Sequence, residues 1–305
     1  MNGSEGRGNP YVIFGLVLAA VILLVLVVVL FPPGGGKDGN SGNGTEDTGP
    51  WKDLTKLKAS ISDITILNLN DAAGTSSLDD VVAPEETLYM LIGVESNLSS
   101  QDIVSIRDFL MKGGSVIVAD DGAHANRLSD FLLGSAGGKV EFTGHNYLVD
   151  KLTYDPPETD PGWVHNVRFV RGYSRPMDGR VFDLIVDRPN GLVVSGPART
   201  VVTTTKNLTI IDMNDNGEMD QTDGVFEPHV PYGPIAVQYS IGEKGGSITY
   251  FSSSGLFTDS MLQEGDNEDF IRVYLLSLLP EGGVVLMDDT FQLHGYSPHT
   301  AVIPR

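Results

Sequence analysis

One segment of the sequence spaces its oxygen-bearing side chains as a calcium-binding loop does. It covers residues 212–223 and reads DMNDNGEMDQTD. Oxygen side chains fall at loop positions 1, 3, 5, 9 and 12, and Gly217 stands at position 6, where such loops turn sharply. We expect it to bind Ca²⁺, and the ligand set is Asp212, Asn214, Asn216, Glu218, Asp220 and Asp223. The alternative is a solvated acidic turn.

The surroundings of this loop favour a structural role. Position 12 is Asp223, where calcium-sensing EF-hands use a bidentate Glu, and the preceding segment LTIID has the pattern of a strand. In its Asp at position 12 the loop resembles dockerin-type and related extracellular calcium loops. An EF-hand domain is therefore not implied, and the metal would pin a long loop in place.

Polar residues also follow several predicted strands. Ligands of open parallel sheets bind beyond the carboxyl ends of the strands, so these residues would share one edge. They are Asp120, Asp121, Ser252, Ser253, Ser254, Asp288 and Asp289, with His124 and His294 slightly further along. They would bind a divalent metal or carry out acid–base chemistry. Alternatively, Asp121 caps the next helix and the serines form turns.

From this edge we take a short set of catalytic candidates. The set is Asp120, Asp121, Ser253, Asp288, Asp289 and His294. A serine nucleophile is disfavoured, because SSSGLF lacks the G-x-S-x-G turn that exposes such a serine. The absence of cysteine excludes a thiol nucleophile, disulfides and thiolate metal sites. The net charge of −20 repels phosphate backbones, so we expect no nucleic-acid partner.

Short apolar runs alternate with helical periodicity in both the first part and the last part of the domain. Strands are predicted at 63–69, 87–94, 115–119, 247–251 and 284–287. Helices are predicted from Ser99 or Ser100 to residue 112, at about 124–133 and at 266–279. Uninterrupted apolar strands are typical of a parallel sheet that is covered by helices on both faces. Residues 138–235, rich in Pro, Gly and Asp, predict a β-rich insertion or a distorted edge of the same sheet.

These segments resemble a known family. The relevant stretches are LYMLIGVESNLSSQDIVSIRDFLMKGGSVIVADD, then GGSITYFSSSGLFTD, GDNEDF and GGVVLMDD, within about 60–143 and 235–295. They are similar to membrane-anchored archaeal and bacterial proteins with an uncharacterised class I glutamine-amidotransferase-like domain (domain of unknown function 4350). The resemblance implies a flavodoxin-like sandwich without a settled activity. It also implies an acidic-then-His ending to the last strand, for which Asp288, Asp289 and His294 are the counterparts, more loosely spaced than expected.

The amino-terminal part predicts a membrane anchor. Residues 1–10 are a short polar tail, and residues 11–31 carry no charged side chain and would span roughly 30 Å as a helix, the thickness of a bilayer core. Residues 32–50 form a linker rich in Gly, Ser and Asn, and the α/β domain occupies 51–305. A cleaved signal peptide would have a shorter apolar core and a small-residue cleavage site.

The domain is expected on the outer side of the membrane. Lys and Arg are too sparse beside the span to orient it strongly, whereas the calcium loop suits a compartment rich in calcium. Sequons at Asn43, Asn97 and Asn207 give weak support. The expected function is a non-catalytic, extracytoplasmic binding or assembly module, with a possible protein partner at the membrane. The alternative is a metal-dependent hydrolase that uses the strand-end Asp and His residues.

Overall fold

The computed structural model describes residues 54–62, 64–69, 77–149, 169–204, 210–212, 224–225 and 233–288. All of them belong to one structural unit, Thr48–Arg305. The predicted membrane span, the linker, Asp289, His294 and the calcium-loop residues 213–223 lie outside the described residues. Within the described part of the chain, no helix is both long enough and apolar enough to cross a membrane.

The secondary structure of the described residues follows an α/β order at both ends. The strands are β1 Thr65–Asn68, β2 Thr87–Ile92, β3 Ser115–Ala119, β4 Lys139–Val149, β5 Phe169–Ser174, β6 Asp183–Asp187, β7 Asn190–Ser195, β8 Arg199–Thr204, β9 Ile210–Asp212, β10 Gly224–Val225, β11 Pro234–Ile241, β12 Gly246–Phe251 and β13 Val284–Asp288. The helices are α1 Thr55–Ser60, α2 Ser100–Met111, α3 Asn126–Leu133 and α4 Asn267–Leu278. The strands and helices predicted at the two ends of the domain are present, with ends shifted by one or two residues.

The main sheet is mixed, whereas the sequence predicted a parallel one. Its nine strands run in the order β1-β13-β2-β3-β12-β11-β8-β5-β6. The first five are mutually parallel, and β11, β8, β5 and β6 extend the sheet in antiparallel fashion. The change begins at β11, because a short turn at 242–245 joins it to β12, and so short a connection only allows an antiparallel pair.

The β-rich region divides between two sheets. Strands β5, β6 and β8 continue the main sheet, while β10, β9, β4 and β7 form a separate four-stranded antiparallel sheet in that order. The described residues between 138 and 235 are therefore partly an extension of the sheet edge and partly an inserted sheet. Strands β5, β8 and β11 were missed from the sequence, because their polar and apolar residues follow no clear alternation.

Helices cover both faces of the parallel strands. Helices α2 and α3 pack with Tyr89 and Leu91 of β2, and helices α1 and α4 pack with Leu88 and Met90 on the opposite face. Right-handed connections that run in opposite directions along a sheet place their helices in this way. The helical spacing of Leu128, Phe131 and Leu132 predicts that all three point inward, but Phe131 of α3 is 46% exposed, and the Arg107 guanidinium lies over its ring.

A capping box fixes the start of α2. The Ser99 hydroxyl accepts a hydrogen bond from the Asp102 backbone N–H, and the Asp102 carboxylate accepts one from the Ser99 N–H at 2.8 Å. Ser99→Ala should therefore lower the free energy of unfolding by about 1 kcal/mol. Chemical denaturation measures this, with Ser100→Ala as the control, since Ser100 only touches Arg127 at the surface. Equal losses in the two variants would contradict the capping role.

Candidate functional site

The carboxyl ends of β3 and β12 meet where the connections of the sheet diverge. Ala119 and Phe251, the last residues of these neighbouring strands, are paired. The chain after β3 leads to α3 on one face, and the chain after β12 leads to α4 on the other. Ligands of open α/β sheets bind at such a point. The structure therefore places Asp120 and Asp121 beside Ser252–Ser254 at the position where a ligand site is expected.

Asp120 closes the turn that leads into α3. It is fully buried, its Oδ1 accepts a hydrogen bond from the Gly122 N–H at 2.7 Å, and its Oδ2 accepts one from the Ala125 N–H at 2.7 Å. The sequence assigned this capping role to Asp121. Since both carboxylate oxygens of Asp120 are engaged with the backbone, this side chain is bound to its own loop.

Asp121 instead connects the ends of β3 and β12. Its Oδ1 accepts a hydrogen bond from the Ser254 N–H at 2.8 Å, and its Oδ2 accepts one from the Ser254 hydroxyl. Burial raises the pKa of Asp121 to about 7, and the negative charges of Asp120 and Asp187 add to this, although the two bonds from Ser254 act in the opposite direction. Asp121 therefore changes its charge near neutral pH.

The turn between β6 and β7 lies across these strand ends. The Asn190 side-chain amide donates to the Asp120 carbonyl at 3.0 Å, and the Asn190 N–H donates to the Ser252 carbonyl at 2.7 Å. The Ser253 hydroxyl donates to the Asp187 carbonyl at 2.7 Å. Asn190 and the three serines are at most 1% exposed. We call this set the strand-end cluster: Asp120, Asp121, Asp187, Asn190, Ser252, Ser253 and Ser254.

Two atoms of the strand-end cluster are not satisfied. Asn190 Oδ1 and Ser252 Oγ are buried without a hydrogen-bond partner among the described residues. Buried polar atoms of this kind commonly bind an ordered water. The cluster therefore keeps two atoms that could each form a further hydrogen bond, and the β6–β7 turn is bonded across the strand ends beside them.

His124 lies at the rim of the cluster, with a side chain that is 34% exposed. Its Nδ1 is 3.8 Å from Asp120 Oδ1, beyond hydrogen-bonding distance. The Asp120 carboxylate nevertheless raises the pKa of His124 above its ordinary value, against the effect of partial burial. Asp120 and His124 are two potential ligands, and the described residues contain no group of three His, Asp or Glu side chains that could hold a metal.

Asp288 lies apart from this pair, since β2 separates β13 from β3. Two strand spacings amount to roughly 10 Å. The Tyr89 hydroxyl donates to Asp288 Oδ2 at 2.5 Å, and burial together with the Asp288 charge raises the pKa of Tyr89 well above its ordinary value. The structure therefore groups Asp120, Asp121 and Ser253 but not Asp288. The other predicted residues of this set, Asp289 and His294, lie outside the described residues.

Sequence reasoning missed Asn190 and Asp187, the residues that close the cluster. The available signal was DRPN at 187–190, a turn sequence between two apolar runs. Arg188 adopts a positive φ of 39°, which tightens that turn. The signal marks a turn, but nothing in the residues indicates that the turn packs against the ends of two distant strands.

The mixed sheet, covered by helices and extended by a β-rich region, defines an α/β protein whose strand-end crevice is occupied by its own chain. The chain belongs to the family described as Domain of unknown function (DUF4350), which matches residues 64–275, more than half of its length. A comparison with curated proteins gives no match.

Solved structures with a similar fold include the domain titled mmIFT52 N-terminal domain. It is 17% identical with a TM-score of 0.53, over 74% of this chain and 89% of that one. An α-L-fucosidase isoenzyme from Paenibacillus thiaminolyticus (12% identity, TM-score 0.37, 67% and 26% coverage) also matches. An exo-β-1,4-mannosidase from Opitutaceae bacterium strain TAV5 matches as well, with 10% identity and a TM-score of 0.38, over 80% of this chain and 34% of that one. The first similarity shows a shared fold and nothing about function, and the other two structures are too different for a comparison of folds.

Proposed function

We propose that this protein is a non-catalytic binding or assembly module. The observation that carries the proposal is the closure of the strand-end crevice: Asn190 and the Asp187 carbonyl bond directly to the ends of β3 and β12. In an enzyme with a doubly wound sheet, a substrate would need that space. The carboxylate oxygens of Asp120 and Asp121 are engaged with backbone N–H groups and the Ser254 hydroxyl, which leaves them poorly placed as a general base or as metal ligands.

The proposal includes a relationship to the class I amidotransferase-like sandwich. Five parallel strands with helices on both faces support a flavodoxin-like arrangement for this part of the chain. The nucleophile of that class is a cysteine, and this chain contains none. A domain that keeps the scaffold without the nucleophile fits a role in binding other molecules.

The proposal also includes attachment to a membrane. The uncharged segment at 11–31 would anchor the protein in a lipid bilayer, and the linker at 32–50 would hold the domain away from the surface. The domain would face the extracytoplasmic side, where its acidic surface and a calcium loop at 212–223 suit the medium. A protein partner at the membrane would then bind the domain.

A direct test compares the full chain, in detergent micelles, with its Asp121→Asn and His124→Ala variants. Small ester, phosphate ester and glycoside substrates are supplied with Ca²⁺, Zn²⁺ or Mg²⁺, and turnover is measured. We expect no turnover that differs between wild type and variants. The control is Glu243→Gln, at an exposed residue in the turn between β11 and β12. Turnover that is lost in both variants but kept in this control would overturn the proposal in favour of a metal-dependent hydrolase.

Calcium removal should lower the melting temperature of the full chain by several degrees. A metal that binds only the folded protein adds about 3 kcal/mol to its stability when present at a hundred times its dissociation constant. The double variant Asp212→Ala, Asp223→Ala should melt at the chelated temperature with or without Ca²⁺, while Glu243→Gln should respond as the wild type does. An unchanged melting temperature of the wild type after chelation would contradict the calcium assignment.

A further inference from the structure

A second cavity, separate from the strand-end cluster, lies between α4, the turn after β5 and the start of β8. Its volume is about 370 Å³. It is lined by Arg175, Pro176, Met177, Asp178, Arg199, Val273, Leu276 and Ser277. It shares no residue with the strand-end cluster, so ligand binding here is independent of any chemistry there.

Arg175 is the residue of this pocket that points most clearly to a bound ligand. Its backbone is fixed, since its N–H donates to the Val201 carbonyl at 2.9 Å and its carbonyl accepts from the Ser174 hydroxyl at 2.8 Å. Its Nε and Nη1 atoms, in contrast, are buried and have no hydrogen-bond partner among the described residues. A buried donor without a partner costs about 1–3 kcal/mol, and more when it is charged. An anion in the pocket would remove this cost once the guanidinium turns these two atoms toward it.

The charges that line the pocket favour an anion with a single charge. Arg175 and Arg199 supply two positive charges in a chain whose net charge is −20, and Asp178 supplies one negative charge. The last turns of α4, from Val273 to Ser277, present the negative end of the helix dipole. A doubly charged phosphate would be repelled by Asp178 and by this helix end, whereas a carboxylate would retain a favourable balance.

The remaining walls are apolar. Pro176 and Met177 line one side, and Val273 and Leu276 line the other, with Leu276 42% exposed. Ser277 adds a hydroxyl, although it already donates to the Tyr274 carbonyl at 2.7 Å. Ligand sites typically combine such apolar walls with a few polar groups that fix orientation.

We propose that this pocket binds a monoanionic carboxylate with an apolar body, held by the Arg175 guanidinium with the help of Arg199. Such a carboxylate comes from a small fatty or keto acid or from the carboxyl terminus of a peptide that ends in an apolar residue. Charge-assisted hydrogen bonds from a guanidinium to a carboxylate are roughly twice as strong as neutral ones, so Arg175 carries most of the recognition.

The test uses the full chain in detergent micelles and calorimetric titration with four probes: sodium butyrate, the tripeptide Gly-Val-Leu, its carboxyl-terminal amide, and inorganic phosphate. We expect butyrate or the free-acid tripeptide to bind, and the tighter of the two identifies the source of the carboxylate. The amide and phosphate should bind at least tenfold more weakly. Binding of phosphate or the amide as tightly as the free acid would overturn the carboxylate assignment.

Variants locate the binding in this pocket. Arg175→Gln should weaken the carboxylate at least tenfold and Arg199→Gln less, while Arg107→Gln, whose guanidinium pairs with Asp108 on α2, should leave it unchanged. Arg175→Met tests the same residue without ligand: because it removes two buried donor atoms that have no partner among the described residues, its melting temperature should equal or exceed that of the wild type. No binding by any probe, or equal weakening in Arg175→Gln and Arg107→Gln, would overturn the proposal.

Discussion

Asn190→Ala is expected to lower the free energy of unfolding by about 3 kcal/mol. The Asn190 amide donates to the Asp120 carbonyl and, at 3.4 Å, to the Gly122 carbonyl, and the residue is fully buried. Alanine would leave both carbonyl groups without this donor and would also leave a cavity, and each effect costs about 1–3 kcal/mol. Urea denaturation of the full chain measures the change.

The matched control for Asn190 is at the other end of the same strand. Ser195 is the exposed last residue of β7, and the hydrogen bond recorded there uses its backbone carbonyl, which a substitution retains. Ser195→Ala should therefore change stability by less than about 0.5 kcal/mol. An Asn190→Ala variant as stable as the control would mean that the β6–β7 turn does not hold the strand ends together.

The wild type is expected to lose stability as the pH rises from about 4 to 7, and Asp121→Asn is expected to abolish this loss. The folded protein retains a proton on Asp121 up to a pKa of about 7, whereas the unfolded chain releases it near the ordinary value of 3.8. The folded state therefore binds more protons in this window, so its stability falls with rising pH. The loss should reach roughly 2–4 kcal/mol.

The asparagine variant keeps the contacts without the charge. Its side-chain oxygen accepts from the Ser254 N–H and its amide donates to the Ser254 hydroxyl, so we expect it to be more stable than the wild type at pH 8 and less sensitive to pH. The control Asp108→Asn, at an exposed carboxylate that pairs with Arg107, should keep the wild-type slope. Stability curves with the same slope between pH 4 and 7 in wild type and Asp121→Asn would contradict the raised pKa of Asp121.

The sequence predicted those elements whose apolar pattern is dictated by burial on both faces. β3 is apolar from Val116 to Ala119, and β12 is interrupted after Ile248 only by Thr249, because each strand lies between two others and beneath helices. The Ser99 cap could be identified from local chemistry. The antiparallel strands β5, β8 and β11 were harder to find. Their sequences show no clear alternation of polar and apolar residues, and bulges also interrupt the pairing between β11 and β8.

The strand-end residues were predicted as neighbours for a topological reason. Adjacent parallel strands must end at one edge, so Asp120, Asp121 and Ser253 had to lie close together. Their partners could not be predicted, because Asn190 and Asp187 come from a turn that reaches the site only through the folding of the β-rich region. Asp288 is separated from them by the strand order of the main sheet, in which β2 lies between β13 and β3.

Native-state hydrogen exchange of the full chain in detergent micelles tests the central claim, that the strand-end crevice is closed by the chain itself. The informative amides are those of Gly122, Ala125, Asn190 and Ser254, which all donate within the strand-end cluster. If the crevice is closed, they exchange only through global unfolding, as the amide of Val118 in the central sheet does. Faster exchange at these four amides while Val118 stays protected would show that the crevice opens in the native state, and would contradict the account.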